Sequence, residues 1–195
     1  MSHRATWWIS SPIRSCCGEP GCPGRRAGTM RIFGLAGWSG AGKTTLMVEL
    51  VRRISARGLT VSTLKHVHHA FDIDRPGKDS FRHREAGAQE VMVASDARWA
   101  LMHELREQPA PDFPALVARM TPVDLLLVEG FKTDPHDKLE IHRPVLGKPM
   151  LWPDDPRIVA VASDQALPGV PRPTFDLNAP EVIVDFILGR TGLAP

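Results

Sequence analysis

The run Gly37-Trp38-Ser39-Gly40-Ala41-Gly42-Lys43-Thr44-Thr45 contains the spacing G-x-x-x-x-G-K-[ST]. Residues of these types at these intervals suit one chemistry, the cradling of a polyphosphate. Glycines at 37, 40 and 42 let the backbone turn sharply and come close to a ligand, so that consecutive N–H groups, those of Ser39 and Ala41 among them, can point at phosphate oxygens. Lys43 would reach the β and γ phosphates, and the Thr44 hydroxyl would complete a Mg²⁺ shell otherwise made of oxygen and water. Thr45 falls in the first turn of the helix that must follow, whose open N-terminus adds unpaired donors.

An acid is needed near the metal. Glu129 closes the apolar run VDLLLVEG and is the candidate for the Mg²⁺ water shell or the attacking water; Asp124 falls at the opposite end of the same strand. The competing reading of Glu129 is an acid paired with a nearby Lys or Arg. His66, His68 and His69 admit three readings: contacts to an anionic ligand, a transition-metal site, or a solvated loop. Strand alternation would send His69 to the other side from His66 and His68, a poor start for a closed metal site. Arg82 and Arg84, in RPGKDSFRHRE, suit phosphate recognition through planar guanidinium groups or an exposed helix face with an Arg82/Glu85 ion pair. Asp164 follows the strand-like run RIVAV and is placed either to read the amino edge of guanine or to cap a turn. The N-K-x-D run often used for guanine is absent.

These residues need a scaffold, and the sequence supplies one. Met30 to Ala36 reads as an apolar strand, and Leu46, Leu50 and Ile54 recur at helical spacing after the glycine-rich turn. Leu59 to Leu64 reads as a second strand, Asp79 as the cap of a helix running through Ala86, Glu90 to Ala94 and Arg98 to His103 as short strands, and Asp112 to Met120 as a helix. Val123 to Val128 has the unbroken hydrophobicity of a buried parallel strand. Leu139 to His142 and Arg157 to Val161 are further strands, and Glu181 to Leu188 is a closing helix. The expected fold is α/β, a P-loop NTPase with a mostly parallel sheet and helices on both faces.

With 195 residues, of which 43% are hydrophobic, one α/β domain over residues 30–195 is expected. The formal net charge of +2 gives no nucleic-acid or membrane footprint. Residues 1–29 hold four Arg, one Glu and all three cysteines (Cys16, Cys17, Cys22), without helix or strand periodicity. They read as a disordered leader or a mis-assigned start with translation beginning at Met30, the rival being a metal-binding tail. A cysteine-free remainder points to the cytoplasm.

GWSGAGKTTL, TLKHVHHAFDIDRPGKDSFRHREAGA and DLLLVEGFK together closely resemble the molybdopterin-guanine dinucleotide biosynthesis protein B (MobB) family, from about Met30 to the C-terminus. The resemblance implies a GTP- and Mg²⁺-binding adaptor, commonly a homodimer, that hydrolyses slowly and assists the guanylyltransferase joining GMP to molybdopterin. Gly37, Gly40, Gly42, Lys43 and Thr44 carry over for phosphates and metal, and Glu129 stands in the family's VEG element. The guanylyltransferase is the expected partner, with molybdopterin a second candidate. Two rivals stay open, a small-molecule kinase and a metal-delivery GTPase using the His66, His68 and His69 loop. The absence of Arg from Lys148 to Pro156 weighs against a kinase lid.

Overall fold

Leu125, Leu126, Leu127 and Val128 are all fully buried, although successive side chains of a strand point to opposite faces. Both faces of their sheet must therefore be covered. A computed structural model describes residues 29–67, 71, 73–131 and 133–194. Residues 1–28, with the three cysteines, and His68 and His69 lie outside the described residues.

Six parallel strands make the main sheet: β1 (Arg31–Ala36), β2 (Val61–Lys65), β5 (Leu125–Glu129), β6 (Lys138–His142), β7 (Ile158–Ser163) and β8 (Thr174–Asp176). Their spatial order is β2-β5-β1-β6-β7-β8. On one face, Phe33, Leu35, Leu125 and Leu127 pack with two helices, α1 (Lys43–Ala56) and α4 (Pro180–Thr191). The helices contribute Leu46, Leu50 and Ile54, and Ile183, Val184 and Ile187, in the three- and four-residue rhythm that keeps one helical stripe apolar. Ion pairs of Arg53 and Arg57 with Glu181 and Asp185 join the outer surfaces of the two helices. On the opposite face Leu126 and Val128 meet Phe113 from the short helix α3 (Phe113–Val117), which Asp112 caps by accepting from the Ala115 N–H.

A separate hairpin, β3 (Glu90–Ala94) with β4 (Trp99–His103), forms an antiparallel pair packed against helix α2 (Asp79–Glu85). Arg84 ties helix and hairpin together through Glu104, at 3.2 Å. Among the described residues no helix is long and apolar enough to cross a membrane.

One buried group gives the fold a pH dependence. His136 is only 9% exposed, stacks on Phe113 with ring centroids 5.1 Å apart, and has no hydrogen-bond partner at either ring nitrogen. Burial, reinforced by the Lys138 charge, pushes its pKa down to about 4 from 6.5. The unfolded chain binds a proton that the folded chain refuses, so stability is complete above pH 6.5 and falls as pH drops toward 4. The expected loss is about 3 kcal/mol over that window. Urea unfolding at pH 7.5 and 4.5 should show the decline, and His136→Phe, which keeps the ring and removes the proton site, should flatten most of it.

Candidate functional site

In a parallel sheet the loops after the strands gather on one rim, and the glycine-rich turn, Glu129, His66, Arg143 and Asp164 all follow strands there. The glycine-rich turn follows β1. Its first residue, Gly37, has φ of 145° and is buried so tightly that a Cβ added to it would stand 2.6 Å from the Ile141 carbonyl oxygen. Only glycine fits both demands. The turn then passes through exposed Ser39 and Gly40 and buried Ala41 to Gly42, which precedes α1 in a left-handed conformation.

No side chain caps α1, so the amide donors of its first turn, where Thr44 and Thr45 stand exposed, are not taken up by a cap. The Lys43 ammonium donates to the carbonyls of Gly37 at 3.0 Å and Trp38 at 2.9 Å, which lays the cation across the loop. The donor set of this loop fits a nucleotide phosphate, and Thr44 with Glu129 supplies oxygen ligands of the kind Mg²⁺ prefers.

Glu129 ends β5 and is paired in register with Leu35 of β1 and Lys65 of β2. Its carboxylate is 12% exposed and lies 3.5 Å from the Lys65 ammonium. Asp124, at the other end of β5, accepts from the backbone N–H and the hydroxyl of Thr60, both at 2.7 Å. The two acids thus sit at opposite ends of one strand.

His66 follows β2 and its N–H donates to the Glu129 carbonyl at 2.9 Å. Its ring lies 4.9 Å from that of Phe131, which in turn lies 4.9 Å from Phe113. Phe131 holds a φ of 50°, an unusual conformation for a residue with a side chain, in the turn directly after Glu129. His66 therefore borders the acid's loop. Arg82 sits exposed on α2; its described backbone bonds run to Lys78 and Ala86, within its own helix, and not to the glycine-rich turn.

Asp164 follows β7, two strands along the sheet from β1. One of its oxygens accepts from Arg143 at 3.1 Å; the other is buried and has no hydrogen-bond partner. Beside it opens a cleft of about 310 Å³ lined by Ser163, Asp164, Leu167, Phe175, Asp176 and Asn178. Asp164 thus combines an unpartnered buried oxygen with a place in the wall of a cleft that has an aromatic side.

The comparisons decide the family. The family model for molybdopterin guanine dinucleotide synthesis protein B matches residues 32–164. This chain belongs to the MobB family. The molybdopterin-guanine dinucleotide biosynthesis adapter protein of Haemophilus influenzae is 41% identical over 156 residues, 80% of this chain and 86% of the relative. The adapter protein of Escherichia coli is likewise 41% identical, over 160 residues, 80% of this chain and 91% of the relative. The fold is that of solved MobB structures: the Bacillus subtilis crystal structure superposes with a TM-score of 0.66 over 83% of this chain and 98% of that one, at 24% identity. The six-stranded parallel sheet bears out the α/β P-loop fold expected from the sequence.

The structure brings three further residues to this rim. Arg143, just beyond β6, lies between the glycine-rich turn and Asp164. Glu140 is fully buried and accepts from the N–H groups of Leu151 and Trp152, at 2.8 and 2.9 Å, tying down the segment after β6. The Trp38 indole N–H donates to the Pro149 carbonyl at 2.7 Å, so that segment leans on the tip of the turn. Arg143 carried one signal in the sequence: it is a cation placed directly after a strand of a parallel sheet.

Proposed function

We propose that this MobB-family chain is a GTP- and Mg²⁺-binding adaptor in molybdopterin guanine dinucleotide synthesis, working with the guanylyltransferase that joins GMP to molybdopterin. The observation that carries the reading is Asp164, which lines a cleft on the same rim as the glycine-rich turn and has a buried oxygen with no hydrogen-bond partner. The turn, Lys43 and the first turn of α1 bind the polyphosphate, Thr44 orients the metal, and Asp164 accepts from the N–H edge of guanine. Bound Mg²⁺ would shield the β and γ phosphate charge. Glu129, with the Lys65 ammonium 3.5 Å from its carboxylate, would hold a water of the metal shell or the attacking water. His66, bonded through its N–H to Glu129, sits where it can follow movement of that loop.

Asp164→Asn tests the base assignment. Turning one carboxylate oxygen into an NH₂ reverses a hydrogen bond, which suits the C2 carbonyl of xanthine and opposes the amino group of guanine. In calorimetric titrations GTP affinity should fall about tenfold or more and XTP affinity should rise. Unchanged GTP and XTP affinities would remove Asp164 from the site. Adding the guanylyltransferase to the GTP-loaded chain tests the adaptor role, and absence of any binding heat or co-migration would count against it.

The homodimer belongs to the same reading. Pairing in the hairpin sets Met92 opposite Leu101 and Ala94 opposite Trp99, on the face away from buried Val91, and Met92 and Trp99 are 61% and 66% exposed. A two-stranded sheet with such a face is marginal in water, and a second copy laid on it would supply the missing cover. Sedimentation of a Trp99→Ser, Leu101→Ser variant should give a monomer; a persisting dimer would move the interface elsewhere.

A further inference from the structure

We infer that Arg143 sets guanine selectivity by clamping the base-reading carboxylate to the phosphate-binding turn. This rests on the guanine reading of Asp164. The Arg143 guanidinium donates through Nε to the Ala41 carbonyl at 3.0 Å and through Nη1 to Asp164 Oδ2 at 3.1 Å. It also lies 3.5 Å from where a side chain on Gly42 would begin. One planar group therefore bonds the turn at Ala41, runs beside Gly42, and bonds the loop after β7 at Asp164.

The turn follows β1, Arg143 follows β6 and Asp164 follows β7, three consecutive strands of the sheet. The guanidinium is the bridge between the outer two. The bond to Oδ2 anchors the carboxylate at one oxygen and leaves Oδ1 buried and without a hydrogen-bond partner. A freely turning carboxylate could offer either oxygen at any angle. A clamped one holds its acceptor at a set position relative to the phosphate-binding turn, and that position decides whether the N1 and N2 donors of guanine or the differently placed N6 donor of adenine can meet it.

A brace for the turn alone would need only the Ala41 bond. The bond to Asp164 consumes half of an acidic side chain and makes sense if the other half is to be aimed.

The test compares GTP, ATP and Mg²⁺–tripolyphosphate, which has no base, binding to the full chain and to Arg143→Ala and Arg143→Lys. Lysine keeps the charge but cannot reach both acceptors with a rigid fork. The GTP-to-ATP affinity ratio should fall about tenfold or more in both variants, while tripolyphosphate affinity changes by less than about threefold. An equal loss for all three ligands would make Arg143 a brace for the turn and overturn the inference. So would an unchanged ratio in a protein that prefers GTP. If the unaltered chain itself shows no preference for GTP, the guanine reading falls first and this inference with it. Should Arg143→Ala fail to fold, Arg143→Lys carries the same comparison.

Discussion

Lys43→Ala is expected to reduce nucleotide affinity by a factor on the order of 10² to 10⁴, because two charge-assisted hydrogen bonds of about 1.5 to 3 kcal/mol each disappear together. The ammonium already stands across the turn on the carbonyls of Gly37 and Trp38. These acceptors are neutral, so a phosphate oxygen carrying formal charge competes for the same donors with advantage. Alanine also removes the tie across the turn, whose net worth to the fold is about 1 kcal/mol per bond. The expected result is a folded protein, slightly less stable, that titrates with GTP without measurable heat. Retained GTP affinity in a folded Lys43→Ala variant would mean that nucleotide binds elsewhere on the rim.

The parts of this site that local pattern could locate were legible in the sequence. The glycine-rich turn, the strand before it and the helix after it are contiguous, and Glu129 closes a strand whose unbroken hydrophobicity is explained by cover on both faces. β8 escaped because it is three residues long and lies among Pro171, Pro173 and Pro180, at the sheet edge where proline is tolerated. The helix read over Asp112 to Met120 is regular only over Phe113–Val117, with Asp112 spent as its cap. Arg143 could not be assigned for a different reason. Its partners Ala41 and Asp164 are distant in sequence, and they meet only because β6 separates β1 from β7. Alternation and helical spacing identify strands and helices, but the order of parallel strands is set by long-range packing.

The same dependence on order governs the second large effect, Gly37→Ala. The new methyl group would stand 2.6 Å from the carbonyl oxygen of Ile141 in β6, a backbone atom fixed by the pairing of β6 with both β1 and β7. It would also sit at a φ of 145°, which side-chain-bearing residues rarely adopt. Neither strain can relax without moving the turn away from β6, and that motion carries the amides of Ser39 to Gly42 with it. Gly58 is the control: its φ is 82°, but nothing lies within 4 Å of its added Cβ. Gly58→Ala should therefore cost about 1 kcal/mol, the backbone penalty alone. Gly37→Ala should cost about 3 kcal/mol or more in urea unfolding and abolish GTP binding. Equal losses in the two variants would mean that the turn is not wedged against β6, and that glycine at 37 serves only backbone freedom. A larger loss at 37 in both stability and binding would place the origin of the phosphate site in the contact between β6 and the end of β1.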